Sequence, residues 1–265
     1  MRCFRLEIHK NNHAKDLLFK IIVGNGLDRS DVYSLISGEN MSISCWDFDG
    51  TLAYCNHLWS GSVFRALNET VAEHSVTFQD IRRCNRSGFT WDTPYEDFTA
   101  LVGEKWWEFM NAHFYRSFVS LGINEVQAKT ASEKVREIIM LPSNYNLFDD
   151  TVAVLQKAKE KGHTNIILSN NYPELEVITD ALGITKYFDN LIISGIVGYD
   201  KPRKEIFDIA KSYYPGENFI MIGDNPVADV LGGKAAGMTT VLVHKGFDKN
   251  ADYCFDNLLD ICSIM

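Results

Sequence analysis

An apolar run, Ile43-Ser44-Cys45-Trp46, ends abruptly in Asp47-Phe48-Asp49-Gly50-Thr51. That junction constrains the fold more than any other stretch of the chain. Alternation along a strand puts Asp47 and Asp49 on the same side. Two carboxylates that close repel each other unless a cation lies between them. Gly50 then lets the backbone turn sharply and approach a ligand. A buried strand delivering two acids at its C-terminal end is a candidate Mg²⁺ and phosphate site. Asp-x-Asp-Gly-Thr also suits an ordinary turn, so its weight comes from the rest of the chain.

Four more short apolar runs read as buried strands: Asn165-Ile166-Ile167-Leu168, Leu191-Ile192-Ile193, Phe219-Ile220-Met221-Ile222 and Thr239-Thr240-Val241-Leu242-Val243. Helical patterns separate them. Asp149 or Asp150 caps a helix through Val152, Leu155 and Ala158 that Gly162 closes. Pro173, Pro202 and Pro226 each suit the first turn of another helix. Alternating strands and helices predict an α/β fold, a Rossmann-like parallel sheet flanked by helices. Such sheets bind ligands at the carboxyl ends of their strands. Asp47, Ser169 and Asp224 all fall there, each just after an apolar run.

From Asn56 to Asn144 the alternation stops, and helices are expected at Leu58 to Glu73, Pro94 to Phe118 and Asn124 to Met140. This predicts an all-helical cap over 56–144, inserted into a core formed by 41–55 and 145–265. Four of the five tryptophans (Trp59, Trp91, Trp106, Trp107) lie in the insertion and are expected to be mostly its core. Residues 1–40 fit neither part. They are expected to be an accessory extension, or to precede a native start at Met41.

Hydrophobic residues make up 46% of the 265, enough for a substantial core. The net charge of −9 argues against a nucleic-acid or anionic-membrane partner. A local metal ion still permits an anionic small substrate. Six cysteines without a C-x-x-C pair read as buried or idle thiols. His9 and His13 share a helical spacing but lack the acids or cysteines that would complete a metal site. No run is long enough to span a bilayer, and the expected location is cytoplasmic. A monomer or homodimer is expected.

Four elements occur in order: Asp47-Phe48-Asp49-Gly50-Thr51, Leu168-Ser169-Asn170, Gly198-Tyr199-Asp200-Lys201-Pro202, and Ile222-Gly223-Asp224-Asn225-Pro226-Val227-Ala228-Asp229. Together they resemble the haloacid dehalogenase-like hydrolase superfamily, in the branch with a helical cap after the first motif. The resemblance runs from about Met41 to the C-terminus.

The resemblance and the residue types imply the same roles. Asp47 is the candidate nucleophile that takes the phosphoryl group as an aspartyl-phosphate. Asp49 is the candidate acid for the leaving alcohol, then base for water. Thr51 orders the loop or is a plain turn cap. Ser169 and Asn170 are candidate phosphate donors, with a helix cap the plain alternative for the serine. Lys201 supplies positive charge. By resemblance, the side chains of Asp47 and Asp224 and the backbone carbonyl of Asp49 bind Mg²⁺. Asp229 holds waters or Lys201, or sits as a first-turn acid favoured by the helix dipole. His57 follows the first motif closely enough to reach a cleft. Arg82, Arg83 and Arg86 form a basic cluster that suits a second anionic group or is a solvated helix face.

The expected activity is Mg²⁺-dependent hydrolysis of a small phosphorylated metabolite. One alternative is a phosphomutase that returns the phosphoryl group to a sugar hydroxyl, and another is a non-catalytic binding protein on the same fold. Dehalogenation fits less well, because it would leave Asp49 and Asp224 without a task.

Overall fold

The computed structural model describes residues 42–265. The N-terminal extension, with His9 and His13, lies outside them. β1 (Ser42–Trp46) leads into a short ribbon strand, β2 (Ala53–Tyr54). Four helices follow: α1 (Leu58–Thr70), α2 (Phe78–Cys84), α3 (Glu104–Ser120) and α4 (Glu125–Ile139). β3 (Asn146–Leu147) then pairs antiparallel with β2. The rest alternates: α5 (Thr151–Glu160), β4 (Thr164–Ser169), α6 (Leu175–Ala181), β5 (Asn190–Ile193), α7 (Ser194–Val197), α8 (Lys204–Tyr213) and β6 (Asn218–Gly223). A π-helical turn at Pro226–Leu231 runs into α9 (Gly232–Ala235), and β7 (Thr239–Val243) and β8 (Tyr253–Phe255) finish the sheet.

The six main strands are ordered β5-β4-β1-β6-β7-β8, and every neighbouring pair is parallel. Helices flank this Rossmann-like sheet, as the alternation predicts. β1 is central because it is apolar on both faces: Ile43, Cys45 and Trp46 are fully buried. All five predicted strands form. β8 and the β2–β3 ribbon are additional, and both are too short to show a period.

Between Leu58 and Ile139 the described residues are helical or loop, with no strand. Two boundaries differ from expectation. α1 stops at Thr70, whose hydroxyl donates to the carbonyl of Ala66 at 2.7 Å, and Val71 follows in an extended conformation. The helix expected from Pro94 begins only at Glu104. Residues 94–103 stay in loop because side chains there satisfy the backbone locally. Asp97 accepts from the amide and hydroxyl of Thr99, at 3.0 and 2.6 Å. Trp106 and Trp107 are buried, as expected of an internal core.

The helical segment is tied to the sheet side at specific points. Trp107 Nε1 donates to Glu174 Oε2 at 2.7 Å. Arg136 pairs with the same glutamate and reaches Glu104 at 2.7 Å. The Gly103 amide donates to the carbonyl of Gly195 at 2.9 Å.

Candidate active site

The ends of β1, β4 and β6 meet at one edge of the sheet. Asp47 continues β1, and its amide donates to the carbonyl of Ile222 in β6 at 2.9 Å. The chain then turns through Gly50, whose φ is +81°. A Cβ there would lie 2.6 Å from Cγ of Asp224, so only glycine lets this loop pass the Asp224 carboxylate.

β6 ends in Gly223, and the next residues fold back tightly. The Asn225 side chain accepts from the amides of Val227 and Ala228 at 2.9 and 3.0 Å, opening the π-helical turn. That turn carries Asp229 back against the strand end. A Cβ on Gly223 would lie 2.6 Å from Cβ of Asp229.

Lys201 is 2% exposed. Its Nζ lies 3.0 Å from Asp47 Oδ1 and 2.6 Å from Asp229 Oδ1. The lysine is positioned by Asn170, which accepts from its amide at 2.6 Å and donates to its carbonyl at 2.9 Å. Burial pulls the lysine down, but the carboxylates of Asp229 and Asp47 outweigh it and hold Lys201 above its ordinary value. Burial also lifts Asp229, against the pull of Lys201. The short contact, and a second donor in the Asn225 amide at 3.0 Å, favour the ion pair over a neutral pair.

Asp49 has a different environment. Asn171 Nδ2 donates to its Oδ2 at 2.8 Å, and Cys55 Sγ lies 3.9 Å from its Oδ1. Burial, then the charge of Asp47, push its carboxyl up to about 7 against the Asn171 hydrogen bond. Asp224 is raised too, first by burial and then by Asp47, while Lys245 at 3.2 Å pulls it down.

Asp47, Asp224 and Asp229 each offer a carboxylate oxygen within 4.8 Å of the others. Both oxygens of Asp229 are already engaged, by Lys201 and the Asn225 amide. Asp47 and Asp224 are therefore the better side-chain ligands for a divalent cation. Their all-oxygen character, close spacing and depth fit Mg²⁺.

Asp47 and Asp224 line a cavity of about 970 Å³, with Asp229 buried behind them. Asp47, Asp49, Asn170, Lys201 and Asp224 face it from the sheet side, and Trp59, Phe89, Trp91 and Tyr95 from the helical side. Ser169 is buried at the end of β4 and is not among the lining residues. Thr51 is fully buried, and its carbonyl lies 3.2 Å from His244 Nε2.

The four outlying candidates are not brought to this cavity. His57 sits before α1 in a left-handed conformation, with its ring 5.4 Å from that of Phe78, and opens on a separate, smaller pocket. Arg82, Arg83 and Arg86 are exposed, and Arg83 pairs with Asp80 at 2.5 Å. For Arg82 and Arg83 the reason is local: α2 buries Ile81, which turns them outward, and Arg86 lies past the helix end. Two residues absent from the sequence reading touch the acids directly, Asn171 and Lys245. Both lie just past strand ends, at the sheet edge where ligands bind.

A parallel sheet thus gathers acids, an amide pair and a buried lysine at its carboxyl edge. The haloacid dehalogenase-like hydrolase family model matches residues 42–237, and the chain belongs to that family. It is 33% identical over 128 residues to phosphoserine phosphatase of Thermus thermophilus, covering 45% of this chain and 51% of that protein. It is 31% identical over 122 residues to glyceraldehyde 3-phosphate phosphatase of Methanothermobacter thermautotrophicus, covering 44% and 54%. The chain thus spans about half the length of the curated relatives it matches. Among solved structures, magnesium-bound YfnB of Bacillus subtilis superimposes with a TM-score of 0.64 at 18% identity, over 85% of this chain and 99% of that one. That likeness concerns the fold.

Proposed function

We propose that the protein is a Mg²⁺-dependent phosphatase that hydrolyses a small phosphomonoester through a phosphoryl group carried on Asp47. The observation that carries this reading is the buried Lys201 ammonium 3.0 Å from Asp47, in a cavity shared with Asp49 and Asp224. A carboxylate attacks a phosphate dianion only where the negative charge is offset. Lys201 supplies part of that offset, and Asp229 keeps it aimed and charged. Asp47 and Asp224 would hold Mg²⁺, which when bound supplies further positive charge against the phosphate oxygens.

Asp47 attacks phosphorus and the bond to the ester oxygen breaks. Asp49, with its carboxyl near 7, keeps a substantial protonated fraction at neutral pH and gives that proton to the departing alcohol. The resulting Asp49 carboxylate then takes a proton from water, which attacks the aspartyl-phosphate and regenerates Asp47. Lys201 and, beside it in the cavity lining, the remaining side-chain N–H of Asn170 would donate to the phosphate oxygens. The helical segment over the cavity acts as a cap that limits water and selects the alcohol. The match to phosphatases of phosphoserine and of glyceraldehyde 3-phosphate supports the reaction class.

The test is turnover of 4-nitrophenyl phosphate by purified protein with Mg²⁺. Asp47→Asn is expected to abolish it, and chelation of the divalent cation to suppress it reversibly. Activity surviving in folded Asp47→Asn refutes the nucleophile. Product analysis with a sugar phosphate should give free phosphate, and an isomerised sugar phosphate would refute hydrolysis.

A further inference from the structure

The cavity over Asp47 is one-sided in charge. Its lining acids are Asp47, Asp49, Asp92, Glu96 and Asp224, and Lys201 is the one cation among the lining residues. That lysine is already held between Asp47 and Asp229. The nearby guanidinium of Arg203 is turned away: it pairs with Glu205, lies over the Tyr199 ring at 4.8 Å, and donates to the backbone carbonyl of Glu96 at 3.0 Å. A second anionic group on a substrate would meet Asp92 and Glu96 with no free counter-charge.

The other side of the cavity is aromatic. Trp59, Phe89, Trp91 and Tyr95 line it. Phe89 and Trp91 stack at 4.8 Å with an 11° interplanar angle, and Trp59 lies 5.6 Å from Trp91. Tyr95 is 79% exposed and has no ring contact with another described aromatic. An exposed aromatic side chain beside an aromatic wall is a stacking platform without an occupant on its own chain. The volume of about 970 Å³ is near the upper end for ligand pockets and far exceeds a three-carbon alcohol.

Building on the phosphatase reading above, we propose that the substrate is a phosphate monoester whose alcohol carries a planar ring and no second anionic group. Phosphorus sits at Asp47 and the ring lies against the Trp59, Trp91 and Tyr95 side. Nucleoside 5′-monophosphates have this form and serve as the probe.

The experiment compares kcat/KM for uridine and adenosine 5′-monophosphates, glycerol 1-phosphate, 3-phosphoglycerate, phosphoethanolamine and a nucleoside 3′,5′-bisphosphate, using full-length protein with Mg²⁺. The ring-bearing monophosphates are expected to lead each of the others by about tenfold or more. Tyr95→Ala should cost the nucleoside monophosphates about tenfold, mainly in KM, and cost glycerol 1-phosphate less. A ringless, doubly anionic or small cationic ester that matches or exceeds the nucleotides overturns the inference, as does an equal loss on all substrates in Tyr95→Ala. Asp47-dependent turnover of 4-nitrophenyl phosphate separates the two readings. If it is absent, the phosphatase reading falls and takes this one with it. If it is present, a failure in the panel counts against the substrate class alone.

Discussion

Asp47 and Asp49 are two residues apart, yet their surroundings differ in kind. Asp47 faces a buried ammonium, and Asp49 faces an amide and a thiol. Two acids in unlike environments can divide the roles of nucleophile and proton donor. Asn171 takes part in this division. Its side chain donates to Asp49 and accepts from the Tyr172 amide at 3.0 Å, while its own amide donates to Ser194 at 3.0 Å. Two bonds fix its side-chain rotamer and a third holds its backbone, so it aims the acid. Loss of that aim should matter most where the leaving group needs a proton. Asn171→Ala is expected to lower kcat/KM for alkyl phosphates by about tenfold or more, and for 4-nitrophenyl phosphate by only a few-fold. Equal losses on both would show that Asn171 serves folding alone. The acids and the lysine were legible in sequence because each belongs to a motif of fixed spacing. Asn171 was not, because an asparagine beside Asn170 has no signature until the fold turns it toward Asp49.

The pairing of β1 with β4 brings other buried polar groups together. Ser44 Oγ lies 2.9 Å from His163 Nδ1, and Trp46 Nε1 donates to Asn165 Oδ1 at 3.0 Å. Burial, and then Lys161, hold the His163 imidazole below its ordinary 6.5. The unfolded chain therefore binds more protons than the native one as pH drops through 6.5. The contribution of His163 to stability is complete above that pH and is lost on acidification, until the native imidazole itself titrates. His163→Gln keeps a hydrogen-bonding group beside Ser44 but removes the titration. The fall in melting temperature from pH 7.5 to about 5.5 should be shallower in the variant. Parallel curves would contradict this. Strands of this kind were readable because a buried parallel strand is a continuous apolar run. The loop at 94–103 was not, because the bonds from Thr99 to Asp97 override a helical apolar pattern. Nor was the π-helical turn, since a proline followed by small residues reads as an ordinary helix start.

Across the whole molecule, the helical segment meets the sheet side through Glu174, which receives the indole N–H of Trp107 and the guanidinium of Arg136. Trp107 is 1% exposed, and Glu174 supplies the acceptor for its buried N–H. Glu174→Ala is expected to cost about 1–3 kcal/mol, read as a lower melting temperature, with Glu174→Gln recovering part of it. An unchanged melting temperature would mean that the contact carries no net stability. No helix among the described residues is long and apolar enough to cross a membrane. The basic cluster carried two readings, an anion site or a solvated face, and the arginines lie exposed and outside the cavity lining. Arg82 and Arg83 are close in sequence to Arg86, but whether those two face a ligand depends on which side of α2 is buried, and Ile81 turns them outward, while Arg86 lies past the end of the helix.

The linear order of residues was enough to establish a parallel α/β sheet, the family, and the acids and lysine that gather at its carboxyl edge. The sheet and the acids follow from local rules: apolar runs bury, glycines turn, and like charges at short spacing call for a cation. The family follows from the resemblance carried by four motifs in order. Tertiary structure alone decided that Asp229 is occupied by Lys201, that Asn171 donates to Asp49, and that the cavity wall is aromatic and acidic instead of basic. Each of these depends on contacts between residues far apart along the chain, and such contacts leave no periodic trace in a sequence.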